Sequence, residues 1–147
     1  MAYLSIWIHM VWSTKNREPL MNSVELRGKV FNHISENAAK KDIYLDCING
    51  SFDHAHALVS LGSDQTIAKI AQLLKGESSH WLNQQNLIQR KFEWQDDYFA
   101  VSVSDSAVGQ VRIYIKNQEE HHRKKTFSDE FGEFMKVHRF SENPGMD

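Results

Sequence analysis

Two β-rich runs joined by a tight-turn signal constrain this chain most: Ile43 to Ile48, then Asn49-Gly50, then His54 to Leu61. Asn-Gly between such runs predicts an antiparallel hairpin. Around the hairpin the hydrophobic period switches between strand and helix. Residues 3 to 13, Tyr-Leu-Ser-Ile-Trp-Ile-His-Met-Val-Trp-Ser, are aromatic and β-branched enough to read as a first strand. Thr14 to Pro19 is a polar, basic loop. Asn22 or Ser23 then caps a helix, with Asn22 and Glu25 at capping-box spacing. Val24, Leu26, Val30, Phe31 and Ile34 follow at helical intervals to about Lys41. Past the hairpin, Gly62-Ser63-Asp64 is expected to cap a second helix with Ile67, Ile70, Ala71, Leu74 and Trp81 as its apolar stripe. Phe99 to Val103 reads as a fourth strand. Ser104 or Asp105 opens a third helix through Val108, Val111, Ile115 and Gln118. A last short helix is expected near Ser128 to Val137, and the tail 141–147 is expected to fray.

The order β-α-β-β-α-β-α predicts an α+β fold: a ferredoxin-like (RRM-like) antiparallel sheet with two helices across one face. The third helix is extra; it lies either against the sheet near the histidine strand or on a partner subunit. With only two prolines and seven glycines in 147 residues, no linker is visible, and 1–147 reads as a single domain. No apolar stretch reaches the roughly 20 residues of a membrane span. The N-terminus lacks the marks of a secretory signal, and the lone Cys47 cannot form an intrachain disulfide. A cytoplasmic location and no membrane partner are therefore expected. The net charge of −2 argues against nucleic-acid binding through the global field. Any such binding needs a local basic surface. Arg112, Lys116, Arg123, Lys124 and Lys125 outnumber Glu119 and Glu120 around the third helix, with Lys15 and Arg17 near the N-terminus.

His54-Ala55-His56 carries the chemistry. Residues two apart on a strand share a face, so the two imidazoles lie side by side and can grip a metal ion. The same pattern also fits two half-exposed strand residues with no ligand. Asp53 is placed to accept from an imidazole N–H, and a third ligand must come from elsewhere in the fold. Tyr114 and Gln118, four apart on the third helix, project together from adjacent turns. Otherwise they are a core phenol with a wet hydroxyl and an exposed amide. His121 and His122 either join that face or belong to a basic helix end. His9, His33, His80 and His138 read as structural or surface residues, and Cys47 as buried and inert. No Gly-x-Ser-x-Gly elbow and no glycine-rich phosphate loop occur, which excludes the hydrolases and nucleotide triphosphatases built on them. Imidazole donors taken alone favour zinc.

With these residues in place, the chain resembles the single-tyrosine HUH transposases of the smallest bacterial insertion sequences. The matching blocks run in order along nearly the whole chain: Ile8-His-Met-Val-Trp-Ser-Thr-Lys15, His54-Ala55-His56, Leu74-Lys-Gly-Glu-Ser-Ser79, Trp94-Gln-Asp-Asp-Tyr-Phe-Ala-Val-Ser-Val-Ser104 and Tyr114-Ile-Lys-Asn-Gln-Glu-Glu-His-His122. The resemblance implies a DNA transposase with Tyr114 as nucleophile and His54, His56 and Gln118 as ligands of Mg²⁺ or Mn²⁺. It implies cleavage and rejoining of single-stranded DNA with hairpin ends, through a 5′-phosphotyrosine and a free 3′-hydroxyl. It also implies a homodimer whose sheets join, in which the tyrosine helix of one subunit can complete the other's site. Lys15, Arg17, Arg112 and Lys116 are the expected phosphate contacts, chosen by charge and position. Two other readings stand beside it. One is a domesticated relative acting on chromosomal palindromes; the other is a non-catalytic RRM-like nucleic-acid-binding module with an incidental histidine pair.

Overall fold

A computed structural model describes residues 1–119 together with Asp129 and Gly132. The described residues form four strands, β1 (Trp7–Ser13), β2 (Tyr44–Gly50), β3 (His54–Ser60) and β4 (Phe99–Val103), and three helices, α1 (Val24–Lys40), α2 (Ile67–Gln85) and α3 (Val108–Lys116), in the order β1-α1-β2-β3-α2-β4-α3. The sheet is antiparallel throughout, in the spatial order β2-β3-β1-β4. This is the ferredoxin-like arrangement expected from the element order.

Alternation along β1 and β3 splits the interior into two cores. Ile8, Met10, Trp12, Ala55, Ala57 and Val59 point to one face, where Val30, Phe31 and Ile34 of α1 and Ile70, Ala71 and Leu74 of α2 cover them. Leu58 points to the other face and packs with Val108 and Ile115 of α3, flanked by Trp7, Cys47, Val103, Val111 and Tyr114. The extra helix therefore lies on the sheet, and both faces of β3 are buried.

Several boundaries differ from expectation, each for a local reason. The first strand starts at Trp7, not at residue 3; Tyr3 is 89% exposed, and among the described residues no strand pairs with that stretch. Of the two candidate caps for α1, Ser23 is the one used: its hydroxyl accepts from the Leu26 N–H at 3.1 Å. Thr66, rather than Gly62-Ser63-Asp64, caps α2 by accepting from the Lys69 N–H at 3.2 Å. Asn49 and Gly50 belong to the ladder opposite His56 and Ala55, and the turn falls at Ser51–Asp53 instead. The Ser51 N–H closes it on the His54 carbonyl at 3.0 Å. A Cβ at Gly50 would sit 2.0 Å from that carbonyl oxygen, so the glycine serves this close approach. The third helix begins with a 3-10 turn at Asp105–Ala107, and α3 proper starts at Val108.

The expected helix over 128–137, the tail 141–147, His121, His122, His138 and the basic residues 123–125 lie outside the described residues, Asp129 and Gly132 apart. No helix among the described residues is long and apolar enough to cross a membrane.

Candidate metal and nucleophile site

The α3 face of the sheet gathers the site. His54 and His56 follow Leu58 on the same face of β3, and neither is more than 2% exposed. Register sets their neighbours: His54 opposes Ser13 on β1, His56 opposes Val11, and Asn49 of β2 flanks His56 on the other side.

Each imidazole is held from behind. Nδ1 of His54 lies 3.0 Å from both the Asp53 carboxylate and the Ser51 hydroxyl, and Ser51 Oγ donates to the same carboxylate at 3.2 Å. A carboxylate only accepts, so this nitrogen carries the ring hydrogen and Nε2 keeps the lone pair. Nε2 faces Oε1 of Gln118 at 3.0 Å, and that amide is fully buried. Two acceptors at this distance are satisfied by a cation between them, or without one by an amide turned so that its NH₂ meets the ring. Among the described residues no three His, Cys, Asp or Glu side chains gather as a ligand set; the Gln118 oxygen is the donor that lies beside His54. Two neutral imidazole nitrogens and one amide oxygen, with an Asp–His pair behind, fit a divalent cation.

Gln118 reaches the site differently from expectation. It lies beyond the C-cap of α3, Asn117, where the chain turns before helical backbone resumes at Gln118. Tyr114 is on α3, half-buried, with its ring centroid 5.6 Å from that of His56 and 6.1 Å from that of His9. The four expected residues His54, His56, Tyr114 and Gln118 thus meet within one chain.

His9 is the residue that sequence reasoning missed. It is 5% exposed, and its Nε2 lies 2.9 Å from Nδ1 of His56, with the rings 5.1 Å apart. Only the β1–β3 register, His9 opposite Leu58, brings it onto this face. The signals available in sequence were its place between Trp7 and Val11 on one face of an alternating strand and its position inside the Ile8–Lys15 block.

The position of α3 rests on polar ties to β2. A β-bulge between Leu45 and Cys47 sends Leu45 to the first core and Cys47 to the second, and Asp46 is its extra residue. Asp46 accepts from Arg112 Nε at 2.7 Å and Nη2 at 3.0 Å. The Arg112 guanidinium holds this carboxyl below the ordinary carboxylate range, and Asp46 in turn raises the arginine. Asn49 Nδ2 donates to the Lys116 carbonyl at 3.0 Å, a second tie. Arg112, expected at phosphate, therefore spends part of its donor fork within the fold. Lys15 is exposed and pairs with Glu93 at 3.0 Å; Lys116 is exposed at the end of α3. Arg17 sits with Asn16 in a left-handed turn after β1. Cys47 is half-buried rather than buried, and desolvation pushes its thiol up to about 11, so it stays protonated and unreactive at neutral pH.

The model of the family described as "Transposase IS200 like" matches residues 2–118. Among solved structures, one from Deinococcus radiodurans R1, described as a candidate transposase, superposes with a TM-score of 0.64 at 21% identity, covering 80% of this chain and 95% of that one. A REP-associated tyrosine transposase bound to a REP hairpin superposes with a TM-score of 0.58 at 12% identity, covering 84% of this chain and 71% of that one. At these identities the likeness is one of fold. No curated protein matches the sequence.

Proposed function

The chain belongs to the family of IS200-like transposases, and from that premise we propose that it cuts and rejoins single-stranded DNA through Tyr114. The observation that carries the reading is the meeting, on one face of the sheet, of the buried His54–Gln118 contact with the half-buried Tyr114 ring beside His56. His54, His56 and Gln118 would hold Mg²⁺ or Mn²⁺, which when bound would polarise a non-bridging phosphate oxygen and fix the phosphate in line. Magnesium or manganese rather than zinc follows from the family resemblance, not from the donors.

Tyr114 supplies the nucleophile. Its phenol, with an ordinary pKa of about 10, is mostly protonated at neutral pH and must lose its proton as it attacks. The Tyr114 oxygen bonds to phosphorus, the bond to the 3′-oxygen breaks, and that oxygen leaves as a 3′-hydroxyl by taking up a proton. The resulting 5′-phosphotyrosine keeps the phosphoester energy, so a second 3′-hydroxyl displaces the tyrosine without a nucleotide cofactor. The cis placement of Tyr114 beside His56 supports one subunit's own helix as the one that acts there. Lys15, Arg17 and Lys116, with the exposed part of Arg112, are proposed to hold backbone phosphates. A homodimer joined through an edge of the sheet and a cytoplasmic location complete the reading.

The hairpin in the REP-associated neighbour supports hairpin-bearing DNA as the substrate. It also favours a second reading, a domesticated enzyme acting on chromosomal palindromes with the same chemistry. Mobile-element ends around the gene favour the first reading, and dispersed palindromes elsewhere favour the second. For the shared chemistry, hairpin-bearing oligonucleotides incubated with protein and Mg²⁺ are expected to give a denaturant-stable adduct, absent with chelator and absent in a normally folded Tyr114→Phe variant. An undiminished adduct in that variant removes Tyr114 from the mechanism.

A further inference from the structure

We propose that His9 is a positioning residue for His56: its Nε2 accepts the Nδ1 hydrogen of His56 and so reserves the other nitrogen of that ring for a cation. The inference rests on the proposed metal site and extends it to His9 of β1, which lies outside the His-x-His pair and the Tyr114–Gln118 pair.

The geometry is direct. His9 Nε2 and His56 Nδ1 are 2.9 Å apart, both side chains are buried, and the rings are tilted by 34° with centroids 5.1 Å apart. At that separation one nitrogen donates and the other accepts. Were His9 the donor, the neutral His56 ring would carry its own hydrogen on Nε2 and could offer no lone pair there. With His56 as donor, Nε2 is the free-electron-pair atom, as it is on His54. The two ligands are then backed in parallel ways by different chemistry: Asp53 and Ser51 behind His54, an imidazole behind His56. A neutral acceptor behind the second ligand adds no second negative charge to a pocket with little access to water, where an unpaired charge is costly. The same His9 ring borders Tyr114 at 6.1 Å edge to face, so one side chain abuts both a ligand and the phenol. Register enforces this, because His9 opposes Leu58 and so lies diagonally from His56 on the same face.

Two measurements test the assignment. In metal-free wild-type protein, ¹⁵N chemical shifts of the His56 ring are expected to report the Nδ1–H tautomer; an Nε2–H ring overturns the inference. Mn²⁺ affinity, read by electron paramagnetic resonance, is expected to fall about ten- to hundredfold in His9→Ala, as for other residues that orient a metal-bound imidazole. His9→Gln, whose amide oxygen can accept from His56, is expected to recover part of that loss. A merely structural His9 would lower the thermal midpoint in His9→Ala and leave Mn²⁺ affinity unchanged, which also overturns the inference. Wild-type protein that binds no Mn²⁺ overturns the metal site itself, and with it this extension, so the two failures are told apart.

Discussion

Asp53 shows how much of the site is decided by single side chains one step away from the chemistry. Its carboxylate fixes the hydrogen of His54 on Nδ1 and turns the opposite nitrogen toward Gln118. Asp53→Asn keeps the shape but can present an N–H to the ring and stabilise the wrong tautomer. We expect Mn²⁺ affinity to drop about ten- to hundredfold with little change in fold, measured by calorimetric titration; an unchanged affinity would leave Asp53 as a turn residue only. At this scale the sequence was partly legible. The pairing of His54 with His56, and of Asp53 with His54, follows from strand alternation and adjacency. His9 does not, because its contribution depends on which residue of β3 it faces, and that is a long-range fact. Gln118 was found for the right face but the wrong geometry: the break at Asn117 has no strong local signal such as glycine or proline.

Among the elements, α3 matters most, since it delivers Tyr114 and leads to Gln118. Its apolar stripe, Val108, Val111 and Ile115, was evident from spacing, but not which surface the stripe would cover. The β2 bulge decides that. It breaks the alternation between Leu45 and Cys47, so a reading of period two counted from Leu45 puts Cys47 on the wrong face. The Asp46–Arg112 pair then makes α3 docking pH-dependent, with a sign that can be worked out. The folded Asp46 carboxyl titrates below its ordinary value, so its pairing stabilises the fold above the unfolded-chain value and is lost as pH falls through the depressed folded value. Asp46→Asn is expected to melt at lower temperature than wild type at pH 7, with the two converging in acid below the folded Asp46 value. A difference that persists or grows in acid would contradict this pairing. The hairpin shows the opposite lesson: Asn49-Gly50 located it, yet the glycine is needed for backbone clearance in the ladder rather than for the turn.

For the molecule as a whole, two helices on one face and a third on the other bury the central strands β1 and β3 on both sides and leave the edge strands β2 and β4 half-buried. The net charge of −2 gives the protein no long-range attraction for DNA. The proposed DNA binding must come from a few local contacts. If Lys15, Arg17, Arg112 and Lys116 each neutralise one phosphate at about 0.7 per contact on a single strand, log K should fall with log salt at a slope of about −3. Lys116→Ala should make that slope shallower by about 0.7; an unchanged slope would remove Lys116 from the interface. The proposed reaction has one central event: the phenol on α3 becomes joined to DNA beside the paired imidazoles. The most direct measurement is peptide mapping by mass spectrometry after reaction with a hairpin-bearing single strand and Mg²⁺. The account predicts nucleotide mass on the peptide containing Tyr114, fragmenting to a phosphotyrosine at that residue. Covalent nucleotide on any other side chain, or cleavage with no protein-bound product, would contradict it.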